Sequence, residues 1–247
     1  MKQFIVPIIF VLSVSLMHTQ EKAGIINYTA VIKQNHVDDF IKGLKEKKEV
    51  PMHVKQQVVE WYRDATPDNF VLNYIGMESY YYHVPGLEEK AYNIGSKAGR
   101  TPYYTNNKTD TIIAMTLSLG NIYVKPLNWK ITQETKQIGE YQCYKAITTE
   151  RLYSRKGHYY NESIVAWFTP EIPITFGPKN YKGLPGLVLE IESPLYTMTA
   201  TKINLNPEEK DIKIRRPGLN EIIISEEESH KRIKEMTEVR KKEYSGN

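Results

Sequence analysis

Apolar and polar residues alternate with a period of two through most of the chain, the signature of half-buried strands. IINYTAVIK (25–33) is rich in β-branched residues and predicts the first strand. NFVLNYI and MESYYYHV (69–84) predict a hairpin around Gly76. The stretch 85–110, rich in Gly, Asn, Lys and Tyr, reads mostly as loop with weak strand content. TIIAMTL, NIYVK, LNWKITQE and EYQCYKAITTE follow at short intervals, with Gly139 at a turn. In LNWKITQE, Leu127, Trp129 and Ile131 fall on one face, which predicts that this face is buried. ESIVAWFT (162–169) is apolar on both faces and predicts an interior strand. LVLEIES, LYTMTATKIN and KDIKIRR complete the set.

The period changes to three-to-four residues in two places. Val37, Phe40, Ile41 and Leu44, then Val54, Val58 and Trp61, predict two short amphipathic helices parted at Val50-Pro51. From Ser225 a third helix is expected over 225–243, with Ser225 and Glu228 as a capping-box pair. Its stripe of Ile233, Met236 and Val239 is thin, so it anchors weakly. The pattern predicts a mainly β (α+β) fold. It is a strongly curved antiparallel sheet with two short helices near the N-terminus and one C-terminal helix, in a single domain over 20–247.

Composition adds location more than activity. The 247 residues are 40% hydrophobic and include 18 tyrosines, enough for a packed core. The formal charge of +4 is spread over interspersed charges, and no basic stripe with interleaved aromatics points to nucleic acid. Lys2 followed by the apolar run Phe4–Met17 reads as a secretory signal peptide over residues 1–19. That run is short for a membrane span, and no other segment is apolar enough, so no integral span is expected in the mature chain. The expected location is outside the inner membrane, periplasmic or associated with the outer membrane. Cys143 is the one cysteine, which excludes an intrachain disulfide. Its strand-like context predicts a small buried hydrophobe.

GPKNYKGLPGLVLEI (177–191) needs an explanation of its own. A P-loop would need GxxxxGK[ST] before a helix, whereas here the glycine spacing is one residue too long and a strand follows. The residues Gly177, Pro178, Gly183, Leu184, Pro185, Gly186 and Leu187 read instead as a stiff corner. Pro185 and Gly186 fit the two central positions of a type II turn, with Leu184 and Leu187 buried beside it. WFTPEIPITFGPKNYKGLPGLVLEI, with WKITQETKQIGEYQCYKA upstream, resembles the signature of the GLPGLI family, with Val188 in place of its last isoleucine. The resemblance implies an exported bacterial envelope protein of unestablished activity and supplies no catalytic residues.

Direct chemistry is sparse. The histidines after the signal lack the HExxH spacing, so neither a metal site nor a cofactor is expected. GSKAG (95–99) has Lys97 where a nucleophile elbow needs serine. Glu190 and Glu192 alternate outward and read as a solvated face. The tyrosine clusters place at least one ring outward each. The residues read as binding candidates are Trp167, Glu171, Tyr181, Leu184, Tyr82 and Tyr160. The leading expectation is non-enzymatic binding of an apolar ligand (lipid or peptide) or an envelope protein partner in the sheet's concavity. The alternatives are a periplasmic hydrolase with Glu171 in a pocket beside His158, and a structural component of an envelope assembly.

Overall fold

The structure is a computed structural model, and it describes residues 22–86, 94–154 and 157–245. The expected signal segment lies outside the described residues. Strand β1 (Ala23–Ile32) leads into helices α1 (Gln34–Glu46) and α2 (Met52–Arg63). A meander follows: β2 (Asp68–Ile75), β3 (Glu78–Val84), β4 (Tyr103–Asn106), β5 (Thr111–Thr116) and β6 (Gly120–Tyr123). A second meander comprises β7 (Lys130–Ile138), β8 (Tyr141–Tyr153), β9 (Tyr159–Thr169), β10 (Leu187–Glu192) and β11 (Tyr196–Asn204). After a 3-10 turn at Glu209–Asp211, β12 (Ile223–Ser225) runs directly into helix α3 (Glu226–Ser245).

All twelve strands join one open sheet, in the order β12-β6-β5-β4-β3-β2-β1-β11-β10-β9-β8-β7. The two meanders meet where β1 pairs antiparallel with β11. That pairing closes the longest loop in the fold, so the central seam of the sheet is its least local contact. Every pair is antiparallel except β12 on β6, which makes the sheet mixed.

Strict alternation on β1 sends Ile26, Tyr28 and Ala30 to one face. That face carries the main core with Phe70, Leu72, Tyr74, Tyr81, Ile164, Ala166, Ile191 and Met198. Each buried Ile, Leu, Phe or Met among them contributes about 1.5–3 kcal/mol by leaving water. Cys143 is fully buried and free, as its context predicts. The helices form a satellite: Val37, Ile41 and Tyr62 pack with Ile32, Phe40 and Val58. The third helix begins as expected, since the Glu228 backbone N–H donates to Ser225 Oγ at 3.1 Å.

Three local expectations are corrected. KDIKIRR is not a strand. Its Ile212 and Ile214 alternate inward, and Ile214 packs on Tyr80, Tyr104, Ile113 and Met115, but from an irregular stretch lying over the sheet. The LNWKITQE face is not uniformly buried, because β7 begins only at Lys130 and lies at the sheet edge with Ile131 half exposed. Nor is Leu184-Pro185-Gly186 a type II turn. The Gly186 N–H donates to Leu184 O at 2.8 Å, closing a three-residue γ-turn centred on Pro185.

Candidate functional site

Residues 170–186 connect β9 to its neighbour β10, but by a long fold-back and not a tight corner. Ile172, Ile174, Phe176, Tyr181 and Leu184 bury their side chains in the main core. A second proline-centred γ-turn, Ile174 N–H to Ile172 O at 2.8 Å, repeats the device at Pro173. The segment is tied to itself and to β10 by backbone bonds: Gly183 N–H to Thr175 O (3.0 Å), Leu187 N–H to Ile172 O (3.0 Å) and Val188 N–H to Phe176 O (3.1 Å). The Tyr28 hydroxyl donates to Val188 O at 2.7 Å, and Trp129 Nε1 donates to Lys182 O at 2.9 Å.

Two glycines here are dictated by space. A Cβ on Gly186 would stand 2.1 Å from Thr169 O, and one on Gly177 would stand 2.0 Å from Tyr181 O. Both neighbours are backbone atoms, which cannot move aside as a flexible side chain can.

The fold-back delivers Lys179, Asn180 and Tyr181 to the far end of β8 and β9. Glu150 on β8 stands in register with Glu162 on β9, so the two carboxylates share a face. Asn180 Nδ2 donates to Glu150 Oε1 at 2.9 Å, and the Tyr181 hydroxyl donates to Glu150 Oε2 at 3.1 Å. Lys179 Nζ lies 3.4 Å from the Tyr196 hydroxyl. Asn180 is 2% exposed, yet its Oδ1 has no described hydrogen-bond partner. A buried amide oxygen left in this way costs about 1–3 kcal/mol, so it calls for a reason.

A cavity of about 540 Å³ opens beside this group. Its walls include Glu150, Arg151 and Tyr159 from the β8–β9 hairpin, Asn180 from the fold-back, and Glu226 and His230 from the first turns of α3. The Tyr159 hydroxyl lies 3.1 Å from His230 Nδ1, and Tyr153 stacks on His230 with ring centroids 4.7 Å apart. Lys125 bonds Glu227 at 2.6 Å, and the Arg151 guanidinium sits 3.8 Å above the Tyr159 ring.

Burial pushes the Glu226 carboxyl above its ordinary value, with Lys125 opposing. Burial, and then the neighbouring Glu150, push Glu162 up, with Lys179 opposing. Burial holds His230 below its ordinary value; Glu227 opposes this, and the nearby Arg151 and Lys125 cations add to it. This favours the neutral imidazole. The cleft thus gathers acceptors, an imidazole and an aromatic wall. Among the described residues, no group of three His, Cys, Asp or Glu side chains is arranged to hold a metal.

The sequence-selected residues are dispersed. Tyr181 and Leu184 are core side chains, 1% exposed each, and only the Tyr181 hydroxyl reaches the cleft group. Tyr160 is 41% exposed on β9 and stands across from Leu152 on β8. Tyr82 stacks on Tyr80 far along the sheet, with centroids 5.1 Å apart. Trp167 is buried on the opposite face from Ala166, donating to Glu192 Oε1 at 2.8 Å under Lys136, whose Nζ lies 4.2 Å from the ring centroid. Lys136 also bonds Glu190 at 2.5 Å, so Glu190 and Glu192 form an ion cluster and not a merely solvated face.

Glu171 is exposed, accepts the Gln142 N–H at 2.8 Å and lines a different cavity of about 420 Å³ with Tyr74 and Pro207. It follows β9, whereas His158 precedes it. At about 3.3 Å per residue the two are roughly 40 Å apart, so they do not share a pocket. The residues that sequence reasoning passed over are Glu150, Asn180, Glu226 and His230. No local signal marks them, because strand register and the docking of α3 bring them together.

Residues 129–163 and 156–190 match a family model described as "Protein of unknown function (Porph_ging)". The matched stretch carries β7, β8, β9 and the whole fold-back. No curated protein matches. Two solved structures of PNGF-II are similar in part. One, in space group C2, has 14% identity and a TM-score of 0.45 over 86% of this chain and 32% of that one. The other, in space group P21, has 16% identity and a TM-score of 0.45 over 86% of this chain and 33% of that one. The chain spans about a third of the length of the PNGF-II chains, and the likeness carries no functional argument.

Proposed function

We propose that the chain is an exported envelope protein of the GLPGLI type that binds a small polar ligand in the cleft between β8, the fold-back and the start of α3. Export is supported by Lys2 and the apolar run Phe4–Met17. The family assignment is supported by the GLPGLV motif inside the stretch matched by the family of unknown function.

One observation carries the binding reading: Asn180, nearly sealed from solvent at the cavity wall, keeps a carbonyl oxygen without a described partner. Buried polar groups are retained where something satisfies them. An apolar ligand against the main core face is disfavoured. Leu184, Phe176 and Tyr181 already occupy the place beside β10 and β1 that such a ligand would take.

Native mass spectrometry of protein purified from its own envelope tests the reading. The wild type should carry a low-mass ligand that Asn180→Leu loses while staying folded. A wild type with nothing bound, or a variant that keeps the ligand, would overturn it.

A further inference from the structure

This inference rests on the cleft reading above and deepens it. Several acceptors converge on the cavity, and the cations near them are already engaged. Lys125 is held by Glu227 at 2.6 Å, Arg151 by the face of Tyr159 at 3.8 Å, and Lys179 by the Tyr196 hydroxyl at 3.4 Å. Among the described residues, no ion pair is formed by Glu150, Glu162 or Glu226. Glu150 is satisfied by two neutral donors, Asn180 and Tyr181. Glu226 lines the cavity half-buried, and so does Asn180, whose buried Oδ1 has no described partner.

These carboxylates have no ion-pair partner among the described residues, and Lys179 and Lys125 act on Glu162 and Glu226 only from beyond ion-pair distance. Bringing a cation to them recovers Coulomb energy that water no longer supplies in a half-enclosed site. The aromatic side of the cleft is formed by Tyr159 and His230, whose faces are already engaged by Arg151 and Tyr153. Burial holds the His230 imidazole below its ordinary value, which weakens it as a competitor for the carboxylates.

We infer that the ligand presents a primary ammonium or a guanidinium to Glu150, Glu226 and Asn180. Two sources offer that chemistry, a free polyamine and a basic side chain of a peptide. Both can be titrated against the protein: spermidine for the first, and the tripeptide Gly-Arg-Gly for the second. Gly-citrulline-Gly serves as the neutral isostere, with both peptides acetylated at the N-terminus and amidated at the C-terminus so that no α-ammonium remains.

Calorimetry reads affinity, and the ¹⁵N shift of the Asn180 side-chain amide reads location. At low salt, at least one cationic probe should bind about tenfold or more tighter than the citrulline peptide. It should also move the Asn180 amide. Glu226→Gln, a substitution on a part-exposed helix turn, should reduce that affinity severalfold without changing the melting temperature. Whether spermidine or Gly-Arg-Gly binds tighter identifies the source.

Equal binding of the citrulline peptide at Asn180 would overturn the inference and leave the polar-ligand reading standing. Cationic probes that leave the Asn180 amide unmoved would also overturn it. The broader reading would then rest on the mass-spectrometric result alone.

Discussion

Two long irregular segments cross this sheet, and they behave in opposite ways. Residues 170–186 and 205–222 are of similar length, and both contain proline and glycine. The first is driven into the main core, with Ile172, Ile174, Phe176, Tyr181 and Leu184 buried. The second remains largely exposed, touching the sheet through half-buried Ile212, Ile214 and Pro207 and a clamp from Arg216 to Glu78. The difference lies in where the apolar residues meet backbone. In the fold-back, the proline-centred γ-turns and the close-approach glycines let the backbone bond to itself while the side chains face inward. The other segment's own backbone bonds close only short turns, Asp211 N–H to Glu208 O, Ile212 N–H to Glu209 O and Glu221 N–H to Gly218 O, and its Leu219 stays in solvent. A turn-rich sequence is therefore structural where its glycines bring backbone against backbone, and peripheral where they do not.

The sharpest break in this comparison comes from the glycines. Gly186→Val should cost on the order of 4 kcal/mol or more, because the new Cβ meets the Thr169 carbonyl. Loss of the cooperative melting transition checks this. An unchanged melting temperature would mean that the segment does not approach β9 so closely.

The leucines come next. Leu184→Ala should destabilise by about 2–5 kcal/mol, while Leu219→Ala should stay within about 0.5 kcal/mol of wild type in denaturant titration. Similar values for both would erase the distinction between the segments.

The smallest effect concerns the clamp. Arg216 donates from Nε to Glu78 Oε1 at 2.8 Å, and its hydrogen bonds hold the Glu78 carboxyl below its ordinary value against the pull of burial. A carboxyl lowered in the folded state gives stability that is present above its unfolded value, near 4.5. That contribution is lost as pH falls through the folded value. Arg216→Ala should therefore cost only about 0.2–1 kcal/mol at pH 7, since the pair is largely solvated. The difference from wild type should vanish in acid.

Much of the frame was legible because periodicity reports burial directly. β1, the Gly76 hairpin, the interior placement of β9 and the Ser225 cap all follow from local pattern. The misreading of KDIKIRR shows the limit. Ile212 and Ile214 alternate equally well in a ladder or in a strap lying over one, and only backbone pairing separates the two. Pro185-Gly186 likewise fits two turn types that differ by one hydrogen bond. The motif reads as architecture in the sequence, but its depth in the core does not. The cleft was not legible, because Glu150, Asn180 and Glu226 lie far apart in the chain and meet only through register and helix docking.

The central claim is that the GLPGL segment is part of the folded core and not a loop laid over it. Native-state hydrogen exchange at Gly183, Leu187 and Val188 tests this most directly, because their N–H groups make the bonds that tie the segment down. The account predicts that all three exchange only with global unfolding, at the rate of the amides at the centre of β1. Fast exchange at these three amides, with β1 and residues 189–192 of β10 still protected, would contradict it.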